Sequence, residues 1–227
     1  MKKVLVWDLP TRLFHWLLVI AVAGAYLTGE SGGNWLVWHE RLGLLIVGLI
    51  GFRITWGFAG STYARFATFV RGPAAIKAYL AGQWQGLGHN PLGAWSVLGL
   101  LALAAIQLAT GLLAYSDDTG FAGPFHALIS EHLGDIATRL HHKVFDLLAA
   151  LVGLHLAAIV YYMQVKKDNL VKTMLSGHKE VREGESARGG GLAALIVALA
   201  IGLLASYGAS GLWLEKPAPP TANRSAR

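Results

Sequence analysis

The stretch RLHHKVFDLLAALVGLHLAAI, residues 139–159, decides the fold. It is apolar enough for a membrane span, yet it holds imidazole near both ends. His141 and His155 are fourteen residues apart, and at ~100° per residue that is ~1400°, about 40° short of four turns. Both rings therefore point the same way, separated by ~21 Å along the axis, most of a ~30 Å hydrocarbon core. One helix thus offers a histidine near each membrane face to the same neighbours.

The rest of the chain agrees with a membrane setting. Of 227 residues, 54% are hydrophobic and 14% charged, against about 25% charged in a soluble domain. Mean hydropathy is +0.48. There are no cysteines, which excludes covalent haem attachment, thiolate iron–sulfur ligation and disulfides. The net charge of +6 is unevenly placed and speaks of topology, not of nucleic acid.

The expected fold class is all-α: a four-helix transmembrane bundle plus a fifth C-terminal transmembrane helix. Spans are expected at residues 11–28, 38–58, 91–115, 139–164 and 191–214, each near or above the ~20 residues needed to cross. The first span holds a histidine and no small-residue cleavage motif, so it reads as retained. The domain organisation is residues 1–179 for the bundle, 180–190 as a flexible linker, 191–214 as the added helix and 215–227 as a disordered tail. Residues 125–140 alternate apolar and polar side chains as an interfacial helix does.

Charge orients the spans. Lys2, Lys3 and Arg12, then Arg65, Arg71 and Lys77, then Lys166, Lys167, Lys172, Lys179, Arg182 and Arg188 fall in the N-terminal, second and fourth loop regions. The positive-inside bias puts these in the cytoplasm. The third connection carries Asp117, Asp118, Glu131 and Asp135 and belongs outside. The expected location is the bacterial inner membrane, N-terminus cytoplasmic and C-terminus periplasmic.

Depth then sorts the histidines. His15 lies near the inner end of the first span, level with His155. His39 opens the second span at the outer side, level with His141. Two pairs result, His15/His155 and His39/His141. Each would give one haem iron two axial imidazoles and no open position, which suits electron transfer better than oxygen binding. Polar residues inside spans are costly and tend to be functional; the bland reading of each is a satisfied buried histidine. His142 is turned ~140° off the shared face, so His141 is preferred over it. His89 reads as a helix-start residue or a neighbour of a haem propionate. His126, His132 and His178 read as surface residues. Arg53 lies fourteen residues after His39, at the level of His15/His155, where it would contact a propionate or snorkel to the interface.

Six stretches carry a family resemblance: WDLPTRLFHW (7–16), WHERLG (38–43), FRITWGFAGSTYARFATFVRGP (52–73), GHNPLGA (88–94), VGLHLAAI (152–159) and KKDNLVKTMLSGHK (166–179). Together they resemble the bacterial cytochrome b561 family, in the branch related to the cytochrome b subunit of nickel–iron hydrogenases. The resemblance covers about residues 6–179. It implies a four-helix bundle with two non-covalent b haems that exchanges electrons between quinone and another redox protein. The family's ligand positions fall on His15, His39, His141 and His155.

The resulting expectation is a membrane di-haem cytochrome b carrying electrons between the quinone pool and a periplasmic partner such as a c-type cytochrome. The rivals are an anchor subunit for a dehydrogenase or hydrogenase, and superoxide oxidation at the outer haem, with Arg41 or Lys143 attracting the anion. A haem-free transporter is a further rival, disfavoured because the two histidine pairs lie ~21 Å apart, which suits separate centres better than one metal cage. Expected partners are membrane lipid, quinone and a periplasmic cytochrome or dehydrogenase subunit, with a homodimer allowed and no nucleic acid. No catalytic residue is assigned.

Overall fold

The computed structural model describes residues 1–84 and 86–214. The tail expected to be disordered, 215–227, lies outside the described residues.

In chain order the elements are β1 (Lys2–Leu5), α1 (Leu9–Ser31), a 3-10 turn (Gly33–Trp35), α2 (Leu36–Ala59), α3 (Phe66–Phe69), α4 (Pro73–Leu80), α5 (Pro91–Leu113), β2 (Tyr115–Ser116), β3 (Phe121–Ala122), a 3-10 turn (His126–Leu128), α6 (Glu131–Gln164), α7 (Leu170–Ser176), β4 (His178–Val181) and α8 (Leu192–Ala209). Five helices, α1, α2, α5, α6 and α8, are long and apolar enough to cross a membrane. The all-α bundle expected from hydropathy is what the chain forms.

Local chemistry sets the helix starts. Asp8 caps α1 by accepting from the Thr11 amide (2.7 Å), with proline in the first turn. Asn90 caps α5 by accepting from the Gly93 amide (2.8 Å) ahead of Pro91. Such caps satisfy orphan amides and fix where a helix begins. Ser130 caps α6, and this corrects one expectation. Residues 131–140 do not lie along the surface as a separate interfacial helix; they continue the axis of α6. No breaker interrupts the segment, and Thr138 ties it to β2, its Oγ1 accepting from the Tyr115 amide (3.0 Å) and donating to the Tyr115 carbonyl (2.7 Å). At 34 residues α6 is ~51 Å long, so it projects past a ~30 Å core.

Four helices form two antiparallel pairs, α1 with α2 and α5 with α6, joined mainly along α2 and α5. Phe14, Phe52, Trp56 and Ala198 form one core cluster, and Ala21, Ile46, Ile50 and Ala104 another. Between α1 and α6 the contact includes a stack of Tyr26 on Phe145, centroids 5.2 Å apart.

The fifth helix, α8, packs along α2 through small residues. A Cβ on Gly202 would come within 2.7 Å of the Gly48 carbonyl oxygen, and one on Gly51 within 3.2 Å of the Ala205 Cβ. Ser206 Oγ donates to the Leu44 carbonyl across the seam (3.0 Å). Without water to exclude, membrane helices associate through such close backbone approach and interhelical bonds.

The end of the bundle holding both termini of the four-helix unit carries a cap. β1 pairs antiparallel with β4, Lys2 opposite Val181 through Leu5 opposite His178. Val4, Val6 and Trp7 form a small separate core beneath it with Tyr63, Leu87, Met174 and Val181. The segment 180–190, read from sequence as a linker, makes specific bonds. The Ala187 amide donates to the Leu5 carbonyl (2.7 Å), Tyr63 Oη donates to the Glu185 carbonyl (2.7 Å), and the Thr62 amide donates to the Arg188 carbonyl (2.8 Å). The opposite end, called the open end because it has no cap of the β1/β4 kind, carries the short β2/β3 pairing, with the Phe121 ring 6.3 Å from that of His39.

Candidate haem-binding site

At the open end, α2 and α6 bring His39 and His141 together with their rings nearly perpendicular. Their ring centroids are 6.0 Å apart and their planes 80° apart. Two metal–imidazole bonds of about 2 Å each, with each ring centre about 1 Å further back, also give about 6 Å. The separation of the pair matches what a metal shared by two imidazoles requires.

Their outer nitrogens are held by backbone. His39 Nδ1 lies 2.7 Å from the Ala25 carbonyl oxygen. His141 Nδ1 lies 2.9 Å from the Gln107 carbonyl oxygen and 3.2 Å from Thr110 Oγ1. A carbonyl only accepts, so each Nδ1 carries the proton and each Nε2 is left as the basic nitrogen. This is how metal-binding histidines are usually oriented from behind. The Gln107 side-chain amide nitrogen lies 3.0 Å from His141 Nε2, where it can donate to that nitrogen.

Two glycines make room for the rings. A Cβ on Gly29 would lie 2.9 Å from His39 Nδ1, and one on Gly111 would lie 2.9 Å from His141 Cε1. The imidazoles thus pack directly on the backbones of α1 and α5. Beside them is a cleft of ≈ 250 Å³ walled by Val22, Ile46, Ala104, Leu108, Phe145 and Leu148. Glu30 and Glu40 also line it. An apolar slot flanked by two spaced imidazoles fits a ligand of the porphyrin type.

At the cap end, His15 stands edge-on to Trp16 (centroids 5.1 Å, 90°), and its Nδ1 is buried without a partner among the described residues. His89, which precedes the cap of α5, packs between Trp7 (4.7 Å) and Phe69 (4.5 Å). Burial pushes its imidazole down to about 3, and the charges of Arg53, His155 and His15 add to that. These four side chains therefore share one neighbourhood. Arg53 is only 3% exposed, with its Cζ 4.9 Å from the Phe66 ring centre and 5.9 Å from that of Phe69.

Of the remaining histidines, His142 is exposed but also lines the outer cleft, its ring centroid 6.4 Å from that of His141. His126 stacks on Tyr115 (5.8 Å), and His178 Nδ1 donates to the Ser176 carbonyl (2.9 Å). No group of three or more His, Cys, Asp or Glu side chains suited to a metal ion occurs among the described residues. Sequence reasoning missed Gln107, Thr110, Gly29 and Gly111. The one available signal was glycine inside apolar spans, which often marks close helix contact but not against which residue.

Comparison with known proteins places these features. Residues 6–177 match the family model described as prokaryotic cytochrome b561. The chain is 23% identical over 218 residues to the probable Ni/Fe-hydrogenase 1 B-type cytochrome subunit of Escherichia coli (strain K12), covering 79% of this chain and 92% of that one. It is 25% identical over 219 residues to the probable Ni/Fe-hydrogenase B-type cytochrome subunit of Azotobacter vinelandii, covering 79% and 90%. A counterpart from Rhizobium leguminosarum bv. viciae is 24% identical over 220 residues, covering 81% and 92%. No solved structure matches the chain.

Proposed function

The chain belongs to the prokaryotic cytochrome b561 family, a multi-pass membrane b-type cytochrome of electron transfer, and on that premise we propose that it is a di-haem electron conduit. His39 and His141 would hold one haem, and His15 and His155 the other. One-electron exchange at iron is what the haem supplies when bound; the protein supplies ligation, orientation and access. The observation that carries the reading is the 6.0 Å separation of the His39 and His141 rings.

What the chain's residues do follows from their placement. Ala25 and Gln107 carbonyls fix the tautomers of His39 and His141. With two imidazoles offered to each haem, no coordination site would be left for a small substrate. The 34-residue α6 carries His141 and His155 on one rigid rod, so the two levels keep a fixed separation. The basic loops of the cap end put it in the cytoplasm by the positive-inside bias, with the C-terminus of α8 in the periplasm. Electrons would pass between quinone in the bilayer and a redox protein at the open, periplasmic end.

The relatives' names favour a dehydrogenase of the hydrogenase type as that redox partner, ahead of a soluble c-type cytochrome. The superoxide reading fares worse. Glu30 and Glu40 line the cleft, and Arg41 is engaged over the Trp38 ring (5.0 Å). Carboxylates lining the cleft disfavour an anionic substrate there, against the pull of Arg41 and Lys143.

The test is purified protein in vesicles, in two arms: quinone reduction by a co-expressed hydrogenase plus hydrogen, and reduction of an oxidised c-type cytochrome by quinol. Quinone reduction with the hydrogenase and no electron transfer to the cytochrome supports the anchor-subunit role. Electron transfer from quinol to the cytochrome supports the broader conduit. Turnover in neither arm sinks both.

A further inference from the structure

The cap end concentrates buried nitrogens that the protein leaves unpaired. Among the described residues, Arg53 Nη1, Arg65 Nε and His89 Nδ1 are buried with no hydrogen-bond partner. Arg53 is 3% exposed. Arg53 and His89 share Phe69 as a wall, the guanidinium 5.9 Å and the imidazole 4.5 Å from its ring centre. Arg65 immediately precedes the helix that carries Phe66 and Phe69.

The protein's own carboxylate does not answer this need. Asp8, whose field reaches Arg53, has both oxygens engaged: Oδ1 accepts from the Thr11 amide (2.7 Å) and Oδ2 from Trp56 Nε1 (3.1 Å). An uncompensated buried charge is strongly unfavourable, whereas the same guanidinium facing an oxyanion gains charge-assisted, bidentate hydrogen bonds. Two unpartnered buried groups that share Phe69 as a wall, Arg53 and His89, with Arg65 at the start of the helix carrying that wall, therefore describe a receptor for an oxyanion on an otherwise apolar body.

We infer that Arg53, Arg65 and His89 form an oxyanion site that receives a carboxylate of the porphyrin held at the cap end. This rests on the di-haem reading, and it extends that reading in two ways. It chooses between the two roles that the sequence left open for His89, the propionate neighbour over the helix start, and adds Arg65. It also fixes which end of the macrocycle faces the cap, because its carboxylates lie on one edge. A phospholipid headgroup could offer the same oxyanion chemistry, so the experiment separates the two sources.

The experiment is redox-difference infrared spectroscopy on the purified holoprotein grown with haem carrying carbon-13 at its propionate carboxyls. Label-sensitive carboxylate bands are expected to shift in Arg53→Gln and in His89→Gln, and to return toward the wild-type position in Arg53→Lys, at unchanged haem content. Should Arg53→Gln fail to fold, His89→Gln and Arg65→Gln supply the same readout. Unshifted labelled bands in variants that keep their haem overturn this inference alone. Unshifted bands with loss of tightly bound phosphorus assign the site to a phospholipid and overturn the carboxylate. A wild-type protein without haem would remove the di-haem reading and this inference together.

Discussion

His39 and His141 come together at the open end with ring centroids 6.0 Å apart, and each is backed by a carbonyl from a helix other than its own. His142, one residue on, is exposed. His141→Ala is therefore expected to lose the outer haem and retain the inner one, while His142→Ala retains both. Pyridine-haemochrome assay and the reduced spectrum read this directly. Loss of a haem in His142→Ala alone would reverse the assignment.

The glycine seats make a subtler prediction. Gly29→Val and Gly111→Val each drive new carbons into a ligand ring, since even a Cβ stands 2.9 Å from it. Overpacking of this kind costs about 1–3 kcal/mol, here borne by ligand orientation. The outer haem should bind more weakly or change its low-spin spectrum, with the inner spectrum unaltered. An identical change in both centres would contradict separate sites.

The seam between α2 and α8 can be tested apart from the haems. Gly202→Leu places a side chain where a Cβ already meets the Gly48 carbonyl at 2.7 Å. Thermal stability should fall and α8 become accessible to protease, while the four-helix unit keeps its haem content. Ala198, fully buried in the cluster with Phe14 and Phe52, should behave the same way when enlarged. Retained stability in Gly202→Leu would show that the close approach is not what holds α8.

Topology yields a third kind of check. A periplasm-active reporter fused after residue 118 or 214 should be active, and one fused after residue 180 should be silent. The opposite pattern would move the cap, and with it the Arg53 neighbourhood, to the outside.

The helices were legible because they rest on periodicity along one segment, and the expected histidine levels rest on the same periodicity. Hydropathy over about 20 residues marks a span, and 3.6 residues per turn fixes the common face of His141 and His155. What was not legible depends on partners far away in the chain. β1 is four residues long and finds β4 some 175 positions later, with no pattern of its own. Segment 180–190 has linker composition, yet its amides and carbonyls bond to Leu5, Thr62 and Tyr63. Gly48 and Gly202 are ordinary glycines until they meet. Residues 131–140 alternate like a surface helix, but the Ser130 cap and the Thr138 bonds to Tyr115 stand them upright on α6.

The central claim is that α6 serves two haems, one at each level. The most direct measurement is the haem-to-chain ratio of the purified protein beside those of His141→Ala and His155→Ala. The account predicts two for the wild type and one for each variant, with complementary spectra. A wild-type ratio of one or zero, or two variants that lose the same spectral component, would contradict it.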